Sequence, residues 1–385
     1  MTGCSRSSYC IASRGLRAER TIADHLRLAK TSAKAFDSKV SWEGDNLLEV
    51  TDLAVTFASQ EGRVQAVDGI SFGIREGETV GLVGESGCGK SISALAILGL
   101  VRMMSNSTVT GKVEFMGRDL LALPEHEVRR VRGRDISMIF QDPVTSLNPV
   151  LSIERQTTEG MENHLGLSHS DAVKRSIELL EMVGIPKAAE RIHDYPHQFS
   201  GGMRQRVMIA IALSCNPKLL LADEPTTALD VTIQAQILRL MKQLSRDYGS
   251  AIVLITHDLG VVAGMTERIL VMYAGRIVES GDVHTIFRSP RHPYTIGLMD
   301  SLPKLTEDEE WLRPIPGSPP SLINRPSGCS FHPRCFQSQG RLQCREQIPA
   351  LHGVEGSEHL AACHFSDELI GMTSKFSEPV AGGAA

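Results

Sequence analysis

The sequence lacks the features that mark membrane-spanning, secreted and nucleic-acid-binding proteins. Its 385 residues contain no apolar run that approaches the roughly 18 to 20 residues of a membrane-spanning helix. The formal net charge is -5, so no overall basic excess favours a nucleic-acid partner. Hydrophobic residues make up 42% of the chain and charged residues 22%, as in an ordinary soluble globular protein. Any membrane role is therefore expected to be peripheral.

Cysteines are also scarce for a secreted protein. The chain has eight of them, and in a chain this long they do not form the framework of a disulfide-rich domain. The reduced cytosol is therefore the expected compartment. Residues 1–45 are polar and rich in Ser and Arg, without the apolar core of a secretory signal. We expect them to be a disordered extension or the product of a misplaced start, with an organellar targeting peptide as the alternative.

The pattern becomes strand-like at Leu47. The stretches LLEVTDLAVTF and VQAVDGISFGI are rich in Val, Ile and Phe and predict antiparallel strands. The stretch ETVGLVGESGCGKSISALAILGL combines a short apolar strand, a glycine-rich turn and an apolar helix. The runs KLLLADEP and AIVLITHD are typical of parallel strands that end in polar residues. Residues from about 142 to 205 have a mostly helical pattern and indicate an inserted helical subdomain.

The octapeptide GESGCGKS matches the pattern G-x-x-x-x-G-K-S, placed after a predicted strand and before a predicted helix. Backbone N–H groups of such a loop surround phosphate oxygens, and the helix N-terminus adds the positive end of its dipole. Lys90 is expected to reach the outer phosphates, and the Ser91 hydroxyl to bind Mg2+. The predicted phosphate loop consists of Gly84, Glu85, Ser86, Gly87, Cys88, Gly89, Lys90 and Ser91.

Polar residues at the ends of two further apolar runs extend this site. Asp223 suits the coordination of Mg2+, and Glu224 suits a base that polarises the attacking water. His257 ends the run AIVLITH, and we expect it at the end of a neighbouring strand, beside the terminal phosphate. A histidine alone is more often structural, but the order of the motifs favours the functional interpretation. Lys90, Glu224 and His257 are thus the predicted catalytic residues.

The stretch FSGGMRQR, residues 199–206, opens an apolar-periodic helix with small residues. Its N-terminal N–H groups are therefore expected to face an anion. We expect this helix to be remote from the phosphate loop of its own subunit, so a second chain has to supply the missing half of the site.

These motifs, in this order, resemble those of the ATP-binding subunit of an ABC transporter, from about Leu47 to Ser289. The resemblance implies an α/β P-loop NTPase (RecA-like) core with an antiparallel β-subdomain and the inserted helical subdomain. It also implies an active ATPase that binds ATP and Mg2+ and forms a head-to-tail dimer around two ATP molecules. In that dimer the ATP of the partner subunit would be contacted by Ser200, Gly201, Gly202, Gln205 and Asp230.

The resemblance also gives roles to two further residues. Gln141, in MIFQDP, would sense Mg2+ and the attacking water, so the implied Mg2+ contacts are Ser91, Gln141 and Asp223. Phe57 resembles the aromatic residue on which adenine stacks, and a core phenylalanine is the alternative. The chain departs from the family pattern at Phe199, where leucine is usual, and at Cys88, where serine is commoner. The mechanism requires neither of those side chains.

Three stretches, QDPVTSLNP, HPYTIGLMDSLP and PGSPPSLINRPSGCSFHPRC, resemble the oligopeptide and dipeptide importer branch, which also includes nickel-uptake ATPases. We therefore predict an ABC ATPase domain over 46–289 and a C-terminal region over 290–385. Within the latter, the proline-rich stretch 303–333 is expected to be a semi-rigid tether that leads to the cysteine-containing tail. The implied partners are two transmembrane permease subunits, an extracytoplasmic substrate-binding protein and a second ATPase, identical or not. The implied location is the cytoplasmic face of the plasma (inner) membrane.

Three alternatives to an active peptide-import ATPase concern the cargo, the class of protein and the catalytic activity. Nickel or another small solute is the alternative cargo within the same branch. A soluble ABC ATPase that acts on DNA or ribosomes is the alternative outside transport, but the sequence has neither tandem ATPase halves nor a long coiled-coil insertion. A catalytically silent subunit is disfavoured by the intact Glu224 and His257.

The C-terminal region contains four cysteines, Cys329, Cys335, Cys344 and Cys363. Their spacing is not the short C-x-x-C of common zinc ribbons, and a cytosolic location disfavours a disulfide. They resemble the tail of peptide-importer ATPases, for which an iron–sulfur cluster held by four thiolates is the favoured interpretation. Zinc and unliganded thiols are the alternatives. The longer gap after Cys335 and Phe336 in place of proline depart from the family pattern.

Overall fold

The computed structural model describes residues 46–226, 229–301, 314–354 and 358–371. The extension predicted for residues 1–45 lies outside these residues, as do Thr227 and Ala228 of the TTALD loop. The strands in chain order are β1 (Asn46–Ser59), β2 (Gly62–Arg75), β3 (Thr79–Val83), β4 (Ser107–Phe115), β5 (Arg118–Asp119), β6 (Ile136–Ile139), β7 (Leu219–Asp223), β8 (Ala251–Thr256), β9 (Arg268–Tyr273), β10 (Arg276–Asp282), β11 (His352–Gly353) and β12 (Leu360–Ala361).

Helices fill most of the segments between these strands. The α-helices are α1 (Lys90–Ile97), α2 (Glu125–Val131), α3 (Pro143–Ser146), α4 (Ile153–Leu165), α5 (His169–Met182), α6 (Ala188–Arg191), α7 (Gly201–Leu213), α8 (Val231–Tyr248), α9 (Leu259–Met265), α10 (Val283–Arg288), α11 (Pro293–Asp300) and α12 (Leu342–Glu346). Short 3-10 helices span Val101–Met103, Pro196–Gln198, His332–Arg334 and Ser366–Leu369. Among the residues that the structure describes, none of these helices combines the length and apolar character that a membrane span requires.

The first sheet is antiparallel, with strand order β2-β1-β4-β5. On β2, the side chains of Ile70, Phe72 and Ile74 are buried and alternate with less buried neighbours. This period of two is what places every second side chain on the core face of a sheet. The pairing of Val50 with Phe72 across β1 and β2 confirms the antiparallel strands predicted from the sequence.

The second sheet has strand order β11-β12-β10-β9-β3-β8-β7-β6. Strand β3 runs parallel to both β8 and β9, β7 pairs in parallel with β8, and β6 with β7. All residues of β3, β6, β7 and β8 are buried, as expected for parallel strands covered on both faces. The β9–β10 hairpin is antiparallel, with Tyr273 opposite Arg276. The predicted α/β core with an antiparallel subdomain is thus confirmed.

Helices α3 to α7 lie between β6 and β7 in the chain. They occupy the segment for which the sequence predicts a helical subdomain, although α7 continues to Leu213. Serine side chains start three of them: Ser152 caps α4, Ser168 caps α5 and Ser200 caps α7, each accepting a backbone N–H of the first turn. Gly166 follows α4 in the left-handed conformation that ends many helices.

The described part of the C-terminal region packs on the ATPase strands. Strand β12 extends the second sheet by pairing with β10, where Ala361 lies opposite Glu279. The Glu279 carboxylate is fully buried, accepts the backbone N–H groups of Arg291 and His292, and lies 2.7 Å from Nε2 of His359. A buried carboxylate of this kind requires such partners. The sequence predicts a tether over residues 303–333, but described residues of that stretch contact β2: the Leu322 oxygen accepts the Gln65 N–H at 3.2 Å, and Arg325 pairs with Asp68 at 2.6 Å.

Candidate functional site

The predicted motifs follow four adjacent parallel strands at the same edge of the second sheet. The loop after β3 is the predicted phosphate loop, and His257 follows β8, which is the neighbour of β3. Glu224 follows β7, and Gln141 lies two residues after the end of β6. Because the carboxyl ends of parallel strands meet at one edge, the sheet brings residues together that are far apart in the chain.

The phosphate loop fits its surroundings only with glycine at two positions. A Cβ atom on Gly84 would lie 2.2 Å from the backbone oxygen of Met272, and one on Gly89 would lie 2.3 Å from that of Ala66. Gly89 also has a φ of +109°, a conformation that other residues rarely adopt. The loop therefore closes tightly against strand β9 and strand β2 before helix α1 begins.

Lys90 is the first residue of α1 and is almost completely buried beneath the loop. Its Nζ donates to the backbone oxygens of Gly84 at 2.8 Å and of Glu85 at 2.9 Å, and lies 3.7 Å from Sγ of Cys88. The ammonium group is thus held within the curve of the loop, where an anionic phosphate chain would find it. Burial raises the pKa of the Cys88 thiol.

Asp223 ends β7 and is 4% exposed. Burial raises the pKa of its carboxyl group, and a hydrogen bond from the Ser91 side chain opposes this effect. Among the described residues, none donates a hydrogen bond to Oδ1 of Asp223, which is itself buried. A buried carboxylate oxygen without a hydrogen-bond partner is costly, so the oxygens of Asp223 and Ser91 fit the ligand chemistry of Mg2+.

Glu224 connects the ends of three strands. Its Oε1 lies 3.0 Å from Nδ1 of His257, and its Oε2 accepts a hydrogen bond of 3.1 Å from Nε2 of Gln141. Its backbone N–H donates to the oxygen of Ile255 on β8 at 2.8 Å. The residue has a φ of +46°, which is uncommon outside glycine and clusters at functional sites. The structure thus joins Gln141, Glu224 and His257 in one cluster.

The residues predicted to contact the nucleotide of a partner subunit have different surroundings. Ser200 caps α7 by accepting the N–H of Met203, and Ser200 and Gly201 are exposed while Gly202 is partly exposed. Asp230 is exposed and caps α8 through the N–H of Ile233. These backbone and side-chain groups therefore lie at the surface of the subunit.

Gln205 differs from the other residues of that group. It is fully buried, and its Nε2 donates to the backbone oxygen of Pro225, next to Glu224, at 2.7 Å. Its side chain therefore connects α7 to the end of β7 inside its own subunit and does not face a second chain. The sequence does not indicate this burial. A polar residue on a helix that is otherwise mostly apolar is expected at the surface, whereas Gln205 is buried.

Phe57 lies on β1, and its ring is partly exposed and packs against the core between the antiparallel sheet and α1. It pairs with Val64 on β2 and Ser107 on β4. A half-exposed ring at this position is compatible with both interpretations drawn from the sequence, so its contact with adenine stays a prediction.

The four C-terminal cysteines lie around one small pocket, which Phe331 and Pro293 also line: Cys329, Cys335, Cys344 and Cys363. Burial raises the pKa of Cys335 and of Cys363 to about 12. Within residues 46–226, 229–301, 314–354 and 358–371, no group of three or more His, Cys, Asp and Glu side chains is arranged to hold a metal ion. The structure thus brings the thiols together without forming a ready metal site.

Two residues of the C-terminal region contact the phosphate loop, and sequence reasoning missed both. The Arg334 guanidinium forms two hydrogen bonds with the Glu85 carboxylate, and the Tyr294 hydroxyl accepts the backbone N–H of Glu85 at 2.7 Å. Both contacts join positions more than 200 residues apart, so no local pattern reports them. The motifs HPYT and FHPRC, in which they stand, were the available signal.

Two sequence families match the chain. The family described as "ABC transporter" matches residues 67–227, which contain the phosphate loop, Gln141, the α7 N-terminus and Glu224. The family described as "Oligopeptide/dipeptide transporter, C-terminal region" matches residues 278–344, which contain Tyr294 and Arg334.

Curated relatives are similar over most of their length. The chain is 52% identical over 293 residues to the oligopeptide transport ATP-binding protein OppD of Escherichia coli (strain K12), which covers 76% of this chain and 86% of that protein. It is 49% identical over 319 residues to the dipeptide transport ATP-binding protein DppD of the same organism, covering 83% of this chain and 96% of that protein. OppD of Haemophilus influenzae is 52% identical, covering 85% of this chain and 99% of the relative.

A solved structure is also similar. It is the dimeric, post-hydrolysis state of the ATP-binding cassette MJ0796 bound to ADP and Pi, with 29% identity and a TM-score of 0.55. The match covers 61% of this chain and 98% of that one. A second dimeric structure of MJ0796, a bacterial ABC transporter cassette, matches with 30% identity and a TM-score of 0.56 over the same shares of the two chains.

The substitution Gly89→Ala tests the fit of the phosphate loop. The added methyl group would meet the Ala66 oxygen at 2.3 Å, and alanine would be strained at this φ. We therefore expect the dissociation constant for MgATP, measured by titration calorimetry, to rise about tenfold or more. The control is Gly166→Ala, where φ is +64° but none of the described atoms lies within 4 Å of the new Cβ. Unchanged affinity in Gly89→Ala would contradict this account of the loop.

Proposed function

The chain belongs to the ATP-binding subunits of oligopeptide and dipeptide ABC transporters, and we propose that it acts as one of two ATPase subunits that drive peptide uptake. The observation that carries this proposal is the meeting of the phosphate loop, Gln141, Glu224 and His257 at one edge of the sheet. A site of that composition binds and hydrolyses a nucleoside triphosphate.

ATP binding rests on residues of the phosphate loop. Backbone N–H groups between Gly84 and Gly89 surround the phosphates, and the N-terminus of α1 faces the same anion. Lys90 supplies a positive charge that is already buried within the loop. Ser91 and the partner-free Oδ1 of Asp223 would hold a Mg2+ ion, with Gln141 as the third contact. When bound, that ion neutralises charge that develops on the phosphates.

Glu224 is the residue we assign as the general base for water. Its carboxylate lies within hydrogen-bond distance of both Gln141 and His257, which fix its orientation. A base has to be held within reach of the water from which it takes a proton, and two partners on neighbouring strands provide that restraint. We assign His257 to contact the terminal phosphate, since its ring is largely exposed and faces the same edge.

The second half of each ATP site comes from another ATPase subunit in this proposal. The similar cassette MJ0796 is dimeric in a state bound to ADP and Pi, and the capped N-terminus of α7 is exposed in this chain. We propose that Ser200, Gly201 and Gly202 contact the nucleotide of the partner subunit, with Asp230 at the same interface. Gln205 supports this surface from inside the subunit through Pro225.

Peptide uptake also requires proteins that cross the membrane. We propose that the chain binds two permease subunits from the cytoplasmic side of the plasma membrane and works with an extracytoplasmic peptide-binding protein. Gln141 lies two residues before α3 and donates a hydrogen bond to Glu224, so it connects the helical segment α3–α7 to the ATP site. ATP binding would close the ATPase dimer and hydrolysis would open it, which is a two-state cycle that permeases can follow.

The C-terminal cysteines give a separate proposal, an iron–sulfur cluster held by Cys329, Cys335, Cys344 and Cys363. Four thiolates are the ligand set that such clusters use, and these four side chains already line one pocket. The described side chains are not yet arranged as metal ligands, so binding would require them to move toward a common centre. No catalytic step is assigned to this group.

The substitution Glu224→Gln tests the assignment of the base. Glutamine keeps the size and a hydrogen-bonding oxygen but cannot accept the proton of water. We expect MgATP to bind as in the wild type, while the turnover number for ATP falls about 100-fold or more. The control Glu61→Gln removes a carboxylate in the exposed turn between β1 and β2, and should keep full turnover. Undiminished hydrolysis in Glu224→Gln would remove Glu224 from its role.

Uptake by cells tests the transport proposal. A strain that lacks this gene should fail to take up short labelled peptides, and the wild-type gene should restore uptake. The gene carrying Glu224→Gln should not restore uptake, because the ATPase dimer could not open again without ATP hydrolysis. Normal peptide uptake in the deletion strain, together with failure of nickel-dependent enzymes, would show that nickel is the cargo. Normal peptide and nickel uptake would contradict a role in either.

The colour of the purified protein tests the iron–sulfur proposal. Protein prepared without oxygen should be brown, with charge-transfer absorption and about two or four iron atoms per chain, since four thiolates hold clusters of either size. The variant Cys335→Ser should lose this absorption, whereas Cys215→Ser, at a buried cysteine of the helical segment, should keep it. Colourless protein with one zinc per chain, or with no metal, would contradict the proposal.

A further inference from the structure

Arg334 stands between two of the C-terminal cysteines, in the 3-10 helix His332–Arg334. Its side chain is only 5% exposed, although arginine is rarely buried without partners. Two of its five N–H groups donate to the backbone oxygens of Pro316 at 2.9 Å and Ile315 at 3.4 Å. A third donates to the Tyr273 hydroxyl at 3.3 Å. These contacts hold the guanidinium in one orientation.

The remaining two N–H groups of Arg334 reach Glu85, the second residue of the phosphate loop. The distances from the two terminal nitrogens to the two carboxylate oxygens are 2.7 Å and 2.9 Å. This is the paired geometry in which a guanidinium binds a carboxylate most strongly. All five donors of Arg334 are thus used, and both oxygens of Glu85 are engaged by one cation.

The charge of Glu85 makes this pairing relevant to ATP. A carboxylate at the second position of a loop that binds phosphates would repel the phosphate chain and would be free to move. The Glu85 side chain is 25% exposed, so solvent screens its charge only in part. The Arg334 guanidinium offsets the charge of this carboxylate and holds both of its oxygens.

The backbone of Glu85 is fixed from the same side. Its N–H donates to the hydroxyl of Tyr294 at 2.7 Å. The rings of Tyr294, Tyr273 and Phe331 pack with centroid separations between 4.6 and 5.4 Å, and all three are buried. Phe331 precedes Arg334 by three residues, so one short C-terminal segment supports the loop through both a side chain and an aromatic cluster.

We propose that Arg334 is a positioning residue of the ATP site, which prepares the phosphate loop for nucleotide by neutralising and orienting Glu85. This inference rests on the proposed role of the loop in binding ATP. It makes the C-terminal region a part of the ATP site, in addition to any role of its cysteines. A purely structural role, in which Arg334 only attaches the C-terminal region to the core, gives different results in the following experiment.

The experiment compares Arg334→Met, Glu85→Gln and the double variant in the full-length protein, with MgATP as the probe. In Arg334→Met an uncompensated carboxylate remains beside the phosphates. Loss of a paired, charged hydrogen bond should raise the dissociation constant for MgATP about tenfold or more. Glu85→Gln removes the charge itself, so its affinity should stay within about threefold of wild type, as for a neutral hydrogen bond.

The double variant separates the two roles of Arg334. If the unpaired carboxylate causes the loss, Glu85→Gln should restore most of the affinity lost in Arg334→Met. If Arg334 only attaches the C-terminal region, Glu85→Gln cannot restore it, and that outcome would overturn the proposal. Arg334→Lys keeps the positive charge but loses the paired N–H donors of the guanidinium. Its affinity for MgATP should therefore lie between those of the wild type and Arg334→Met. Circular dichroism of each variant reports whether it folds.

Arg341→Met is the matched control. Arg341 lies in the same region, pairs with Glu368 at 2.6 Å and packs over Phe365, away from the phosphate loop. Its loss should leave the affinity for MgATP unchanged, and an equal effect of Arg341→Met and Arg334→Met would overturn the proposal. Absence of MgATP binding in the wild type would instead contradict the proposed function itself. If Arg334→Met does not fold, Arg334→Lys with and without Glu85→Gln gives the same comparison.

Discussion

The closure of the phosphate loop against two backbone oxygens is the constraint on which the rest of the site depends. Gly84 and Gly89 leave no space for a Cβ atom beside Met272 and Ala66. The loop is therefore fixed between β9 and β2, that is, between the two sheets, and not only by its own sequence. A phosphate site built from backbone N–H groups gains from this rigidity, because little has to be ordered when the anion binds.

The strand order then determines which side chains can act on the bound phosphates. Because β8, β7 and β6 lie successively beside β3, the residues that follow them are arranged along the sheet edge, starting from the loop, in the order His257, Glu224 and Gln141. Glu224 tolerates a φ of +46° at the end of β7, which the hydrogen bond of its N–H to Ile255 and the contacts of its carboxylate hold in place. Strain of this kind persists only where the surroundings over-determine a conformation.

Sequence patterns predicted the strands, the phosphate loop and the positions of Glu224 and His257, because each is a local motif at the end of a recognisable apolar run. Gln141 was added by the family resemblance alone. The resemblance also assigned Gln205 to the nucleotide of the partner subunit, whereas its side chain is buried in its own subunit and donates to Pro225. Sequence patterns also predicted a tether over residues 303–333, whereas Leu322 and Arg325 of that stretch contact Gln65 and Asp68 of β2. Both differences arise from contacts between distant segments, on which composition and spacing carry no information.

The C-terminal region is a supporting part of the phosphate loop, because Arg334 and Tyr294 both contact Glu85. Phe331 and Arg334 lie between Cys329 and Cys335, and Phe331 lines the pocket that the four cysteines share. Any change that moves this short segment must also move the aromatic cluster and the guanidinium that hold Glu85. If Arg334 positions the loop as proposed, nucleotide in the loop affects the segment that carries the cysteines in turn, because coupling between two sites is reciprocal. The fold thus connects the segment that carries the cysteines to Glu85 of the phosphate loop.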